Sequence, residues 1–142
     1  MPEKFDAVFN LFTSFGYFER DDDNLRTIAS IKKELGPGGY GVIDFMNVKK
    51  VIANLVPQEV KSVKDIDFHL TRSHVNGYIL KNINFEDEGT LYHFTERVKS
   101  LTLSDFQEYF SRAGIILKNV FGNYHLEEFN EETSDRLILI FQ

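Results

Sequence analysis

The feature that most constrains the fold is the succession of a strand, a helix and a second strand near the start of the chain. Residues 4–12 are rich in Phe and Val without strict alternation, which is typical of a strand buried on both faces of a parallel sheet. Residues 24–35 then place apolar side chains at the three-to-four spacing of an amphipathic helix, and residues 40–45 are again apolar. This order predicts a βαβ unit, in which a right-handed crossover joins two parallel strands.

The ends of the helix carry recognisable signals. Asp21, Asp22 and Asp23 precede it, and any of them can cap the helix, while their charge favours its N-terminus. Gly36 is placed to terminate the helix, and Pro37 prevents its continuation. We therefore expect a tight turn between the helix and the second strand.

The middle of the chain changes character. A short helix is predicted over residues 48–55, so that residues 4–56 hold the βαβ unit and one helix. Apolar and polar residues alternate in the next stretch, and Asn76-Gly77 is a strong hairpin signal. We predict an antiparallel meander over residues 65–98, inserted where a simple α/β domain needs only a loop.

The last segment, residues 102–142, is predicted to hold a helix and an antiparallel strand pair. Thr102 or Ser104 can cap this helix, and Gly114 can end it. The pieces together predict a single α/β domain over residues 1–142.

Charge and composition limit the classes of partner. The chain has 16 basic and 22 acidic residues, a net charge of −6, and no dense basic stripe, which argues against a nucleic-acid partner. It has no cysteine, which excludes disulfides, thiolate nucleophiles and cysteine-based zinc sites. No apolar run approaches the roughly 20 residues that span a bilayer, and the N-terminus lacks a signal-peptide apolar region. We expect a cytoplasmic protein that does not associate with membranes.

Three familiar kinds of site are disfavoured. The glycine-rich run at residues 36–41 follows a helix and opens a strand, whereas a phosphate-binding loop follows a strand and opens a helix. Ser14 and Ser104 lack the sequence context of a nucleophile elbow. The spacing of the histidines supplies no set of three or four convergent metal ligands; they are His69, His74, His93 and His125.

The loops after the two parallel strands are the informative ones, because open α/β sheets bind ligands beyond the carboxyl ends of their strands. These loops are residues 10–18 and 44–47. The first is dense in aromatic rings, which either cap the core or an interface, or form the apolar wall of a small-molecule pocket. The rings are Phe12, Phe15, Tyr17 and Phe18, and the polar points beside them are Asn10, Thr13 and Tyr17.

Taken in chain order, the predicted elements resemble the C-terminal half of class I S-adenosylmethionine-dependent methyltransferases. Residues 5–18 look like the fourth strand of that family and the loop after it. Residues 35–45 are similar to its Leu-x-Pro-Gly-Gly turn and fifth strand, and read Leu-Gly-Pro-Gly-Gly-Tyr-Gly-Val-Ile-Asp-Phe. Residues 97–114 resemble the segment before the sixth strand, and residues 135–141, Asp-Arg-Leu-Ile-Leu-Ile-Phe, resemble the antiparallel seventh strand.

This resemblance implies a partial Rossmann-like sheet with strands equivalent to 4-5-7-6, and S-adenosyl-L-methionine as the cofactor of the complete enzyme. The family's glycine-rich cofactor loop and its ribose-binding acidic residue have no counterpart in these 142 residues. The resemblance assigns three residues to the methyl-donating end of the cofactor, namely Asn10, Leu11 and Phe12. Five more match positions near the acceptor pocket, namely Phe15, Tyr17, Asn47, Arg97 and Tyr124. It assigns no catalytic residue and no metal ligand.

The expected function is therefore that of the C-terminal portion of a methyltransferase acting on a small molecule, unable to methylate by itself and with weak or no cofactor binding. The strand between Phe5 and Phe12 would form an exposed apolar edge, so we expect a homodimer or higher oligomer that buries this edge or the uncovered sheet face. One alternative is a non-catalytic binding or dimerisation module on a half-methyltransferase scaffold. Another is an unrelated α+β small-ligand domain whose meander forms the pocket.

Overall fold

The structure is a computed structural model that describes residues 3–142. Its contacts group into two compact units, one formed by the chain up to Val51 together with Leu101–Gln142, and the other by Ile52–Ser100. Two such units can lie within one domain, so the single domain expected from the sequence stays a prediction. The elements in chain order are β1 (Phe5–Asn10), α1 (Asp21–Glu34), β2 (Leu35–Met46), α2 (Val48–Ala53), β3 (Gln58–Val63), β4 (Ile66–Val75), β5 (Tyr78–Asp87), β6 (Thr90–Lys99), α3 (Leu103–Ala113), β7 (Leu117–Phe121) and β8 (Arg136–Phe141).

The first unit contains a four-stranded sheet in the order β1-β2-β8-β7. β1 and β2 are parallel, while β8 runs antiparallel to both β2 and β7. The predicted α/β class, the βαβ unit and the 4-5-7-6 arrangement of strands are all confirmed. The carboxyl ends of β1 and β2 therefore lie at one edge of the sheet, where ligands bind in such folds.

The predicted tight turn after α1 is wrong. α1 ends at Glu34 and Leu35 is already extended, so the helix has no left-handed glycine cap. Pairing jumps from Phe5–Leu35 to Ala7–Tyr40, which makes the intervening glycines a bulge within β2 rather than a separate turn. A Cβ added at Gly41 would lie 2.4 Å from the Phe141 ring, so this glycine is needed for the close packing of β2 against β8.

The core of this unit lies on one face of the sheet, beneath the two longer helices. Phe106 of α3 contacts both Phe15 and Phe45, with ring centroids 5.5 and 5.4 Å apart. Phe110 packs on Phe141 at 4.7 Å. All five rings are buried, and aromatic contacts of this kind stabilise a core by more than their buried area alone.

The opposite face of the sheet is open near β1 within the described residues. Phe9 is 56% exposed and meets the exposed Tyr40 ring edge-to-face at 6.1 Å. Because successive strand residues alternate between faces, these two rings point away from buried Ile43 and Phe45. Within residues 3–142, β1 is thus an edge strand of the sheet and has an apolar side.

The ends of α3 follow the sequence closely. Thr102, rather than Ser104, is the N-cap, and it forms a reciprocal capping box with Asp105. Gly114 ends the helix with a φ of 65°, in the left-handed region that favours glycine.

The second unit is an antiparallel meander in the order β3-β4-β5-β6. Asn76 and Gly77 have φ values of 51° and 77°, the pair of positive angles that a two-residue type I′ hairpin turn requires. The predicted meander is confirmed but gains one strand, β3, whose mainly exposed and polar residues gave no clear apolar pattern. Among residues 3–142, no helix is both long and apolar enough to cross a membrane.

Candidate functional site

The carboxyl edge of the β1–β2 pair is organised around Asp44. Its side chain is 2% exposed, although it lies in an otherwise apolar strand. A charged carboxylate removed from water must be paired and hydrogen-bonded to be tolerated. Asp44 meets this requirement through contacts to three separate parts of the chain.

The first contact is an ion pair with Arg136 at the start of β8. Arg136 Nε donates to Asp44 Oδ1 at 2.8 Å, and the Arg136 side chain is 21% exposed. The register pairs Met46 with Arg136 and Asp44 with Ile138, which places both charged side chains on the same face of neighbouring strands. The pair thus depends on the alignment of β2 with β8.

The second contact holds the loop that leaves β1. The amide of Phe12 donates to Asp44 Oδ2 at 3.0 Å, and the amide of Thr13 donates to the Asp44 carbonyl oxygen at 2.9 Å. Arg136 Nη2 donates to Thr13 Oγ1 at 2.9 Å. Phe12 and Thr13 have φ values of 58° and 56°, a conformation that costs a non-glycine residue about 1 kcal/mol. These hydrogen bonds offset that cost and fix the loop.

The third contact holds Tyr124, from the loop between β7 and β8. Its hydroxyl donates to Asp44 Oδ2 at 2.9 Å. Desolvation raises the pKa of Tyr124, and so does the hydrogen bond to Asp44, whereas the charge of Arg136 lowers it. The phenol is therefore kept as a neutral donor, while the residue as a whole is 61% exposed.

Asn47, just after β2, fastens the loop that precedes β8. It is 2% exposed, and its Nδ2 donates to the carbonyl oxygens of Glu131 and Ser134, both at 2.8 Å. Lys50 Nζ adds a bond of 2.5 Å to Asp135. The side-chain amide of Asn47 is thus engaged in holding the loop before β8.

The residues predicted to face the cofactor lie together at the end of β1. Asn10 Oδ1 accepts from Ser14 Oγ at 2.9 Å, so its side chain braces the following loop. Leu11 is 40% exposed and Phe12 is 76% exposed. The edge therefore offers an apolar surface beside the Asp44 network.

The five predicted acceptor residues have different surroundings. Phe15 is fully buried against Phe106 and presents no exposed surface, whereas the Tyr17 ring is 48% exposed. Asn47 and Tyr124 belong to the first unit: Asn47 follows the end of β2, and Tyr124 is bonded to Asp44. Arg97 belongs to the second unit, where its guanidinium lies 3.5 Å from the centre of the Tyr78 ring. The cofactor and acceptor roles assigned to all eight residues stay predictions.

Asp44 and Arg136 were not among the residues selected from the sequence, although a signal was present. An aspartate in the run Tyr-Gly-Val-Ile-Asp-Phe is a charge inside a buried strand, which calls for an opposite charge nearby. Arg136 stands at the start of the apolar run that forms β8. What the sequence could not give is the register that brings the two together.

His74 and His93 of the meander are used in local hydrogen bonds. His93 Nδ1 lies 2.5 Å from Asn84 Oδ1, and the register places Asn84 between His93 and His69. Across residues 3–142, no group of three or more His, Asp or Glu side chains is arranged to hold a metal ion.

Solved structures with a similar fold are methyltransferases. An S-adenosylmethionine-dependent methyltransferase from Clostridium acetobutylicum ATCC 824 matches 100% of this chain and 59% of its own, with a TM-score of 0.85 at 13% identity. The CcbJ methyltransferase from Streptomyces caelestis matches 100% of this chain and 62% of its own, with a TM-score of 0.82 at 14% identity. CalS10 from Micromonospora echinaspora, an amino pentose methyltransferase involved in calicheamicin biosynthesis and solved with S-adenosylmethionine bound, matches 99% and 59%, with a TM-score of 0.64 at 14% identity.

The chain thus has the Rossmann-like α/β fold of these methyltransferases and spans about three fifths of their length. By sequence, no protein-family model matches it, and neither does any curated protein.

Proposed function

We propose that this chain is the C-terminal portion of an S-adenosylmethionine-dependent methyltransferase that acts on a small molecule. The observation that carries the proposal is the Asp44-anchored loop at the carboxyl end of β1, in a fold matched over the whole chain by methyltransferases of known structure. That edge is where an open α/β sheet binds its ligand.

The residues at this edge suit one end of the cofactor. Leu11 and Phe12 supply exposed apolar surface, and Asn10 supplies a side-chain amide. When bound, the cofactor supplies an electrophilic methyl group on a positively charged sulfur. The contribution of the chain is to hold the acceptor in line with that methyl group, because proximity and orientation carry much of the rate in such transfers.

The acceptor side is proposed to include Tyr17 and Tyr124 of the first unit, which are both exposed, while buried Asn47 holds the loop before β8 in place. Phenol hydroxyls suit a polar small molecule, since a few convergent polar groups fix orientation within an apolar pocket. CalS10, which has a similar fold, acts on an amino pentose. A polar small molecule with a nucleophilic nitrogen or oxygen is therefore the proposed class of acceptor.

We propose that these 142 residues by themselves cannot transfer a methyl group, because they do not include the part of the family fold that binds the adenosine of the cofactor. Isothermal titration calorimetry with S-adenosylmethionine tests this claim. We expect no dissociation constant tighter than about 1 mM, which corresponds to about −4 kcal/mol. Micromolar binding would overturn the proposed incapacity, while still supporting the proposed cofactor.

The open edge of β1 favours a second proposal, that the chain also pairs with a second copy of itself. Phe5 and Phe9 of this strand are 46% and 56% exposed. An unpaired, apolar edge strand is a template for pairing with another strand. The alternative to a catalytic part is a module whose only role is this self-association. The absence of any change in the Phe12 amide signal when S-adenosylmethionine is added would favour that alternative.

A further inference from the structure

One face of the meander holds an open cavity of about 370 Å³, which is the size of a small-molecule site. Directly opposed residues such as Ile83 and Phe94 project from the same face of a sheet, so the floor of the cavity is shared by neighbouring strands. Phe94 is 53% exposed and Val63 is 55% exposed, so the floor offers apolar surface that a ligand can cover. The floor consists of six apolar side chains, namely Val63, Phe68, Leu70, Ile83, Phe85 and Phe94.

The aromatic part of this floor is already packed. Phe85 lies between Phe68 and Phe94, with ring centroids 4.8 and 6.1 Å away. The Phe85 and Phe94 rings are nearly parallel, at 17°. Such contacts between rings are favourable in themselves, so the floor keeps its shape without a ligand.

Three cations line the same cavity, namely Lys61, Arg72 and Lys81, and none of its nine lining residues is acidic. Arg72 and Lys81 occupy directly opposite positions on β4 and β5. Like charges placed in this way destabilise a strand pair. An unfavourable pair kept beside a cavity is the kind of local conflict that function explains, here by a ligand that needs both charges.

The carboxylates that pair with these cations come from the outer strands. Arg72 lies 2.9 Å from Glu59, and Lys81 lies 3.2 Å from Glu96. Lys61 shares Glu59 at 3.6 Å, which draws its ammonium group along β3 towards Arg72. Three cations therefore face two carboxylates, and one positive charge is left over. Partly exposed ion pairs are weak, so a bound anion can compete for the same donors.

The apolar and cationic parts of the cavity are separated along the strands. Phe68 and Arg72 lie on the same face of β4, four residues and about 13 Å apart. We propose that the cavity binds a free medium-chain carboxylate, with its alkyl chain on the aromatic floor and its head group between Arg72 and Lys81. The net charge of −6 disfavours an anionic membrane surface as the alternative source of such a head group. The site is separate from the methyl-transfer proposal and does not depend on it.

Three probes of equal chain length test this site, namely octanoate, 1-octanol and octylammonium. Each is titrated into the ¹⁵N-labelled chain at pH 7 and constant ionic strength. We expect octanoate to shift the amide signals of residues 68–72 and 81–85 with a dissociation constant of about 1 mM. 1-Octanol should bind at least about fivefold more weakly, and octylammonium more weakly still. Octanol binding as tight as that of octanoate, or octanoate shifts confined to other residues, would contradict the site.

Variants separate the head-group contacts from the floor. Lys81→Met and Arg72→Met keep apolar stems but remove the charges, so each should weaken octanoate about fivefold and leave 1-octanol unchanged. Lys118→Met on β7 is the control and should change neither affinity. Phe94→Thr should weaken octanoate and 1-octanol alike, because it removes part of the floor. If Arg72→Met does not fold, Lys81→Met decides, and wild-type octanoate affinity in that variant overturns the proposal.

Two further measurements address other occupants of this face. Sedimentation with phosphatidylglycerol vesicles, without any response to octanoate, would assign the face to a membrane surface and reject the proposed site. Light scattering tests a second copy of the chain as the occupant. A wild-type dimer that Phe94→Thr converts to a monomer, and that octanoate leaves intact, would likewise reject it.

Discussion

Arg136 Nε lies 2.8 Å from Asp44 Oδ1, in an ion pair that joins neighbouring strands β2 and β8 at the edge where β1 and β2 end. The other carboxylate oxygen, Oδ2, accepts the Phe12 amide and the Tyr124 hydroxyl. One buried side chain therefore ties together the loop after β1, the loop before β8 and the last strand. The same contacts that stabilise the sheet edge also shape the surface proposed to bind the ligand.

Replacing Asp44 by Asn should destabilise the protein strongly. The substitution leaves the Arg136 charge uncompensated beside the core, and breaking a buried pair in this way typically costs about 3–5 kcal/mol. Urea denaturation followed by circular dichroism measures the change. Asp135→Asn, which breaks the exposed pair with Lys50, is the matched control and should leave the stability nearly unchanged. A similar small effect for both variants would show that the Asp44 pair is dispensable.

Stability should fall in alkaline solution because of Tyr109. Burial raises the pKa of Tyr109 above its ordinary value of about 10, and the hydrogen bond to Asp21 raises it further. A phenol that holds its proton more tightly when folded contributes stability below the unfolded pKa, and this is lost as the pH rises above about 10. Denaturation series between pH 8 and about 11.5 should show a slope that Tyr109→Phe flattens and Tyr40→Phe does not. An unchanged slope in Tyr109→Phe would assign the alkaline loss to other groups.

Removing the N-cap of α3 should lower the free energy of unfolding by a smaller amount. Thr102→Ala removes the hydroxyl that accepts the Asp105 amide, and the loss of such a cap costs about 1 kcal/mol. Ser104→Ala, two residues further on, should change the free energy of unfolding by less than about half as much. Chemical denaturation distinguishes the two. Equal losses would mean that the capping box does not determine the start of this helix.

Self-association through β1 is testable by light scattering. The chain should elute as a dimer or a larger oligomer, and Phe9→Lys should shift it to the monomer by placing a charge on the apolar edge strand. Leu91→Lys, at an 81% exposed position of the meander, is the control and should not change the oligomer. A soluble wild-type monomer would contradict pairing through this edge.

The sequence predicted most of the fold because its local signals agreed with one another. The βαβ order, the Asn76-Gly77 hairpin and the Gly114 helix end each follow from short-range chemistry, and all are present. The tight turn predicted after α1 failed because the glycines after the helix belong to β2, where Gly39 and Gly41 allow close packing between strands. That requirement is set by Phe5 and Phe141, which are remote in sequence.

The candidate site was predictable only in part. The family resemblance assigned Asn10, Leu11 and Phe12 to the cofactor, and these residues do lie at the carboxyl end of β1, where such sheets bind ligands. Asp44 and Arg136 are 92 residues apart, and only the antiparallel register of β2 with β8 makes them partners. Register is a tertiary property, so no local pattern could show that one carboxylate organises the whole edge.

The most direct test of the proposed function is to map where S-adenosylmethionine acts on the chain. A ¹H–¹⁵N titration to several millimolar detects binding too weak for calorimetry. We predict saturable shifts confined to residues 10–13 after β1, the end of β2 around Asp44, and Tyr124. Shifts confined to the meander, or none at Phe12 and Tyr124 at the highest concentration, would contradict a cofactor site at the carboxyl edge of β1 and β2.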